Sequence, residues 1–415
     1  MNKTTLIIGT LDTKASEFAL LREAIEKRGV RSLMMDVGVM HDDAPRVDCT
    51  AASVAEAAGT TLDELRSRGD RGHAMQIMAE GAAKLAGQMH RRGEIDAVIG
   101  MGGTGGTSVA CSVMRTLPLG MPKMCVTTVA GGDSTTLVGG RDILLVPSIV
   151  DVSGLNCISE PVITRAAAML CAMLEIDFQS AARTGRVIAA SMFGNTTKCI
   201  DSCRSHFEAE GCEVLVFHAT GTGGQTMESL IEQGMVDGVL DLTTTELADE
   251  LCGGIFSAGP TRLAAAARRG IPQVVAPGCL DMVNFGPMST VPPRYLNAKR
   301  QLYEWNSATT LMRTNVEENR QLGRTLAERV NHSTGPAAVL LPLRGVSILD
   351  GDGERFCDRE SDAACFAAIK ENLRGDIPVV EVDANINDNV FSQKAIALLE
   401  EMFDSRVGRQ GVAAV

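Results

Sequence analysis

Ala97-Val-Ile-Gly-Met-Gly-Gly-Thr-Gly-Gly-Thr-Ser-Val-Ala110 decides the fold. Val98 and Ile99 are β-branched, as a strand inside a parallel sheet requires. Gly100, Gly102, Gly103, Gly105 and Gly106 follow, five glycines in seven residues. They strip the chain of every Cβ that would keep a ligand from the backbone. Thr104, Thr107 and Ser108 add hydroxyls, and Thr107 or Ser108 is placed to cap the helix that follows. A strand, a glycine loop and a helix start make a ready anion site from unpaired N–H groups and the helix dipole. The bland alternative is a tight turn with no ligand. The spacing matches neither G-x-G-x-x-G after a first strand nor G-x-x-x-x-G-K-[ST].

The pattern extends in both directions. Leu6-Ile-Ile-Gly9 reads as a strand, Thr10 to Lys14 as a polar turn, Ser16 to Lys27 as an amphipathic helix, and Ser32 to Gly38 as a second strand carrying Asp36 at its end. Residues 39 to 73 are polar and irregular, with a weak helix near 54–66; so long an excursion points to a lid or an oligomer contact. Lys123–Thr128 and Ile143–Pro147 read as strands four and five, with a long helix from Glu160. Val187–Gly194, Glu213–His218 and Asp237–Leu242 then repeat the opening strands. Gly29 precedes Asp36 by seven residues, as Gly211 precedes His218. Gln273–Pro277, Ala338–Pro342 and Val379–Asp383 complete a second set. The expected fold is α/β: two tandem doubly wound Rossmann-like domains, each a mainly parallel sheet between helices, over residues 1–183 and 184–415. The final helix near Ser392–Phe403 is free to pack on either.

Composition narrows the function classes. At 415 residues and 45% hydrophobic, the chain can fill two cores. Aromatic residues are only 3% and no basic run exists, which speaks against nucleic-acid partners. The net charge of −12 implies a soluble acidic surface. Twelve scattered cysteines without a C-x-x-C pair read as free thiols in a reducing cytoplasm. No apolar run is long enough for a membrane span. No zinc or serine-hydrolase signature occurs, and no metal-ligand cluster is expected.

The second half carries its polar groups just after strands. His218-Ala-Thr-Gly-Thr-Gly-Gly224 offers Thr220, Gly221, Thr222, Gly223 and Gly224 to a carboxylate or phosphate. His218 is either a general acid–base or a hydrogen-bonded strand-end histidine. Glu246, after Leu242-Thr-Thr-Thr245, is either a base or a first-turn carboxylate held by its helix dipole. Pro277–Gly286 places Cys279, Asp281 and Asn284 on one loop; Cys279 reads as an inert thiol. Asp241, Glu246, Asp281 and Asp383 would suit Mg²⁺ with a phosphate. Residues 287–320 break the α/β rhythm, and Arg294 and Arg313 are either anion clamps or surface ion-pair partners.

Gly9–Lys14, Asp36–Gly38, Gly100–Thr107, His218–Gly224, Leu242–Asp249, Thr310–Thr314, Pro342–Ser347 and Asp383–Asp388 occur in that order. With them the chain resembles the Tm-like ATP-binding domain family, bacterial and fungal proteins similar to the N-terminal half of the tomato mosaic virus resistance protein. The resemblance runs from Thr5 to about Phe403. It implies two Rossmann-like domains, ATP or a related nucleotide in the first, and a homodimer or higher homo-oligomer. One departure is Trp305-Asn306, where the family pattern has His-Asn. On this reading Thr10, Asp12, Thr13, Lys14, Asp36, Gly102, Gly103, Thr104, Gly105, Gly106 and Thr107 line the nucleotide, with Lys14 neutralising phosphate and Asp36 accepting ribose hydroxyls. His218, Glu246 and Arg313 would meet a small carboxylate or phosphorylated metabolite in an interdomain cleft. The expected function is therefore an ATP-binding cytoplasmic metabolic enzyme. The alternatives are an ATP-dependent regulatory protein and a nucleotide-independent lyase or hydrolase acting on a keto acid.

Overall fold

A computed structural model describes residues 3–40, 47–132, 134–176, 185–298 and 300–412. The chain divides into two compact units, 1–179 and 180–415. The boundary expected at 183/184 falls in 177–184, outside the described residues.

The first unit has five strands: β1 (Thr4–Gly9), β2 (Arg31–Asp36), β3 (Ala97–Gly102), β4 (Lys123–Thr127) and β5 (Ile143–Pro147). They form one parallel sheet in the order β2-β1-β3-β4-β5. Leu6, Ile8, Val98 and Cys125 face one layer of helices, which includes 71–91 and 104–116. Ile7, Ile99, Met124 and Val126 face the other, made by helices 11–26 and 159–175. Strands buried on both faces need continuous apolar runs, as the sequence has. The order reverses direction between β1 and β3, so the crevice at their carboxyl ends is the topological switch point.

The excursion after β2 is not a lid in its described part. Helices Ala51–Ala58 and Leu62–Arg68 place Val54, Ala55, Leu62 and Leu65 in the core. Residues 41–46 lie outside the described residues.

The second unit has a parallel sheet of β6 (Val187–Met192), β7 (Glu213–His218), β8 (Gly238–Thr243), β9 (Gln273–Gly278), β13 (Ala337–Pro342) and β14 (Val379–Val382). Its order is β14-β13-β9-β8-β6-β7. Renumbered within the unit this is 2-1-3-4-5-6, the first unit's order with one strand added. The expected repeat is therefore present as topology. The break in rhythm is a separate antiparallel sheet, β10 (Met282–Phe285), β11 (Leu302–Asn306) and β12 (Thr309–Arg313), inserted between the fourth and fifth parallel strands. The final helix, Asn389–Val412, packs on this unit, with Phe391, Ala395 and Leu399 buried against Leu240, Val274 and Leu340.

Candidate functional site

In the first unit β3 runs straight into helix Thr104–Thr116, whose N-cap is Gly103. The first intrahelical bond is Thr107 N–H to Gly103 O, at 2.9 Å. Thr104, Gly105 and Gly106 are thus the first helical residues, whose N–H groups have no partner inside the helix. Among the described residues no side chain caps them. Thr107, expected as a cap or ligand, lies one step too deep. Its hydroxyl is buried, 2.6 Å from Thr127 Oγ1 and 3.2 Å from Gly102 O, tying β3 to β4. The glycines divide into two kinds. A Cβ on Gly102 would lie 3.0 Å from Gly106 Cα, and one on Gly106 3.3 Å from Met101 O, so both serve packing. At Gly103 and Gly105 the nearest atoms would be 3.9 and 3.7 Å away, so neither is required by the protein's own packing.

The other predicted residues of this unit surround the β1 end. Asp36 is buried, and its Oδ1 accepts the N–H groups of Leu11 (3.1 Å) and Gly38 (2.8 Å). Burial raises its pKa, and the two N–H bonds pull it back. It therefore fixes the turn after β1 against the end of β2. Asp12 Oδ2 accepts from Val39 (3.2 Å) and Met40 (3.1 Å). Thr13 Oγ1 donates to Thr10 O at 3.4 Å. Lys14 breaks helical geometry and donates to Val152 O, in the segment following β5.

The second glycine loop is built alike and filled. Helix Thr222–Glu232 also opens Thr-Gly-Gly, with Gly221 as N-cap at φ +82°. Glu246 Oε1 accepts the N–H groups of Gly221 (2.8 Å) and Gly224 (3.1 Å). A Cβ on Gly224 would stand 2.2 Å from Glu246 Oε2, so only glycine admits that carboxylate. Glu246 Oε2 in turn accepts from Arg262 Nε at 2.5 Å. Arg262 is fully buried, forks onto both oxygens of Asp241, and lies 3.3 Å from Glu228. Glu228 caps helix Ala265–Arg269 by accepting from Leu263, Ala264 and Ala265. The anion expected in this loop is the protein's own.

Arg313 is likewise committed inside the unit. Its Nε donates to Phe356 O (2.6 Å) and its Nη2 to Asp362 (2.7 Å) and Asp350 (3.2 Å). Asp281 is buried; Oδ2 accepts from Ser347 Oγ at 2.8 Å, while Oδ1 has no partner. Burial and neighbouring carboxylates push Asp350 to about 8, and burial pushes Asp281 to about 6, against the pull of Arg313. Asn284 donates its backbone N–H to Asp249 Oδ1 at 2.7 Å, and burial raises Asp249 to about 7. His218 is exposed at the end of β7, 5.3 Å from the Phe193 ring, and partial burial lowers its pKa. Thr220 Oγ1 donates to His218 O at 3.3 Å. Glu246 and His218 thus flank one loop, whereas Arg313 belongs to the Asp350–Asp362 cluster. Sequence reasoning missed Arg262, Glu228 and Asp350. The pairs Arg262–Glu246, Arg262–Glu228 and Asp350–Arg313 join residues 16, 34 and 37 positions apart, separations that no local spacing marks.

Among the described residues no helix is long and apolar enough to cross a membrane, and no group of His, Cys, Asp and Glu is placed to hold a metal ion. Comparison with known proteins matches residues 3–179 to the N-terminal domain, and 185–403 to the C-terminal domain, of the uncharacterised protein family UPF0261. A UPF0261 protein of Clostridium tetani is 44% identical over 405 residues, covering 97% of this chain and 99% of that protein. One from Mesorhizobium japonicum is 40% identical, covering 96% and 99%. The ToMV resistance protein Tm-1 of Solanum lycopersicum is 35% identical over 94% of this chain but only 54% of its own length. The relationship expected from the motifs is thus present. Among solved structures, an S. aureus MnaA–UDP co-structure aligns over 92% of this chain and all of that one at 11% identity, but its TM-score of 0.22 is too low to bear on function. With matches across both units, the chain belongs to the UPF0261 family.

Proposed function

We propose that the first unit binds the phosphate chain of a nucleotide, ATP with Mg²⁺ being the first candidate, on the N–H groups of Thr104, Gly105 and Gly106. The observation that carries this is internal to the chain. Two helices open with Thr-Gly-Gly after a glycine N-cap; one holds a carboxylate, and the other, at the switch point of its sheet, holds none among the described residues. An uncapped helix N-terminus at that place is the standard position for a phosphate. Lys14 is the cation assigned to the ligand. The buried ion pairs of Glu246 and Arg313 favour a structural role for both, which leaves the reacting groups of an enzyme unassigned.

Assembly into a homo-oligomer is proposed from the exposure of Leu144, Ile149, Ile158 and Ile176 in the first unit.

Thermal unfolding with Mg-ATP, inorganic triphosphate and small carboxylates tests the reading. Saturating Mg-ATP, at a hundred times Kd, should raise the melting temperature by about 5–10 °C through mass action. A response to keto acids with none to any nucleotide or triphosphate would favour the nucleotide-independent reading.

A further inference from the structure

The carboxyl ends of the second sheet gather aromatic side chains in a chain that has few. Phe193, just after β6, lies 5.3 Å from His218 and 6.2 Å from Phe256. Phe193 and Tyr303 both pack on the cluster of Cys279, Met282 and Phe356. Phe193 and Phe256 are half-buried and His218 is exposed, so the rings present area to solvent. Two residues on from Phe193, Asn195 stands at the switch point between β6 and β8. Its side chain is only 6% exposed, yet its one hydrogen-bond partner among the described residues is Met282 Sδ, 3.4 Å from Nδ2. A thioether is a weak acceptor, so the amide N–H is weakly engaged there. The backbone around Asn195 is well held, since its carbonyl accepts from Ile348 N–H (3.2 Å) and Asn387 Nδ2 (2.9 Å). The backbone is thus fixed at this point, and the side-chain amide meets only a thioether among the described residues.

We infer that this crevice binds a planar heterocycle with an amide-like edge, the chemistry of a nucleobase. The ring stacks against Phe193 and His218, and the Asn195 amide pairs with its edge. Aromatic side chains supply stacking that tolerates any base, and an amide supplies a donor and an acceptor side by side. This site lies wholly within the second unit and does not depend on a phosphate in the first.

Calorimetric titration of the full chain with adenosine, guanosine, cytidine and uridine tests it, since nucleosides carry no phosphate. At least one should bind at sub-millimolar concentration. Phe193→Tyr should retain binding and Phe193→Leu should weaken it at least tenfold. Asn195→Ala should bring the four nucleosides to a common, weaker affinity. Absence of binding by all four at millimolar concentration would overturn the inference, as would binding indifferent to both Phe193→Leu and Asn195→Ala. Neither result would touch triphosphate binding by the first unit, which the same calorimeter reads separately.

Discussion

Glu246 shows at a single residue what the Thr-Gly-Gly helix start is for. Its carboxylate takes two N–H groups, and the absent Cβ of Gly224 makes the room. Gly224→Ala should therefore destabilise the second unit by roughly 1–3 kcal/mol through overpacking, whereas Gly105→Ala, with no atom nearer than 3.7 Å, should stay within about 0.5 kcal/mol. Denaturant titration compares them, and equal losses would mean that the two helix starts are not distinguished by occupancy. The buried carboxylates give a second expectation. Asp249, Asp281 and Asp350 are raised to about 7, 6 and 8. The native state thus keeps protons that the unfolded chain, titrating near the ordinary Asp value, has released. Stability contributed by protonated carboxyls is full below about pH 4 and falls as pH rises through 6 to 8. Calorimetry from pH 5.5 to 8.5 should show the second unit melting at progressively lower temperature; a melting temperature that climbs over that range would contradict the burial argument.

At the level of elements, the central parallel strands could be read directly because each is buried on both faces and bounded by glycine or polar residues. Val98-Ile99 and Leu340-Leu341 are examples. The start of helix Thr104–Thr116 was misplaced because the glycines of 102–106 look like a loop, while their small size lets the helix begin against the strand. The antiparallel insert β10-β12-β11 left only an irregular pattern. Most residues of β10 and β12 are buried against long-range partners, such as Thr245 Oγ1 on Met282 O, and those do not repeat at any sequence period. The same holds for the candidate sites. Asp36 at a strand end looks like a ribose acceptor, yet Leu11 and Gly38 already occupy its Oδ1. Helix capping and ligand binding call for the same residue types, and only the partner distinguishes them.

On the scale of the molecule, one strand order is used twice, 2-1-3-4-5 and 2-1-3-4-5-6. The second unit fills its carboxyl end with its own charges around Arg262 and Arg313, and the first leaves a helix start open. Closing one glycine loop with an internal carboxylate makes that loop part of the scaffold. On the proposed reading, ligand specificity rests with the open loop in the first unit and with the aromatic crevice in the second. The direct test of the open loop is calorimetric titration of Mg-ATP into the wild-type chain and into a Gly103→Val, Gly105→Val variant, at positions where an added Cβ meets no atom nearer than 3.7 Å. The account predicts that the variant binds one Mg-ATP per chain fewer than the wild type, the second unit's crevice being untouched, with unchanged melting of both proteins in the absence of ligand. Undiminished Mg-ATP binding by the folded variant would contradict it.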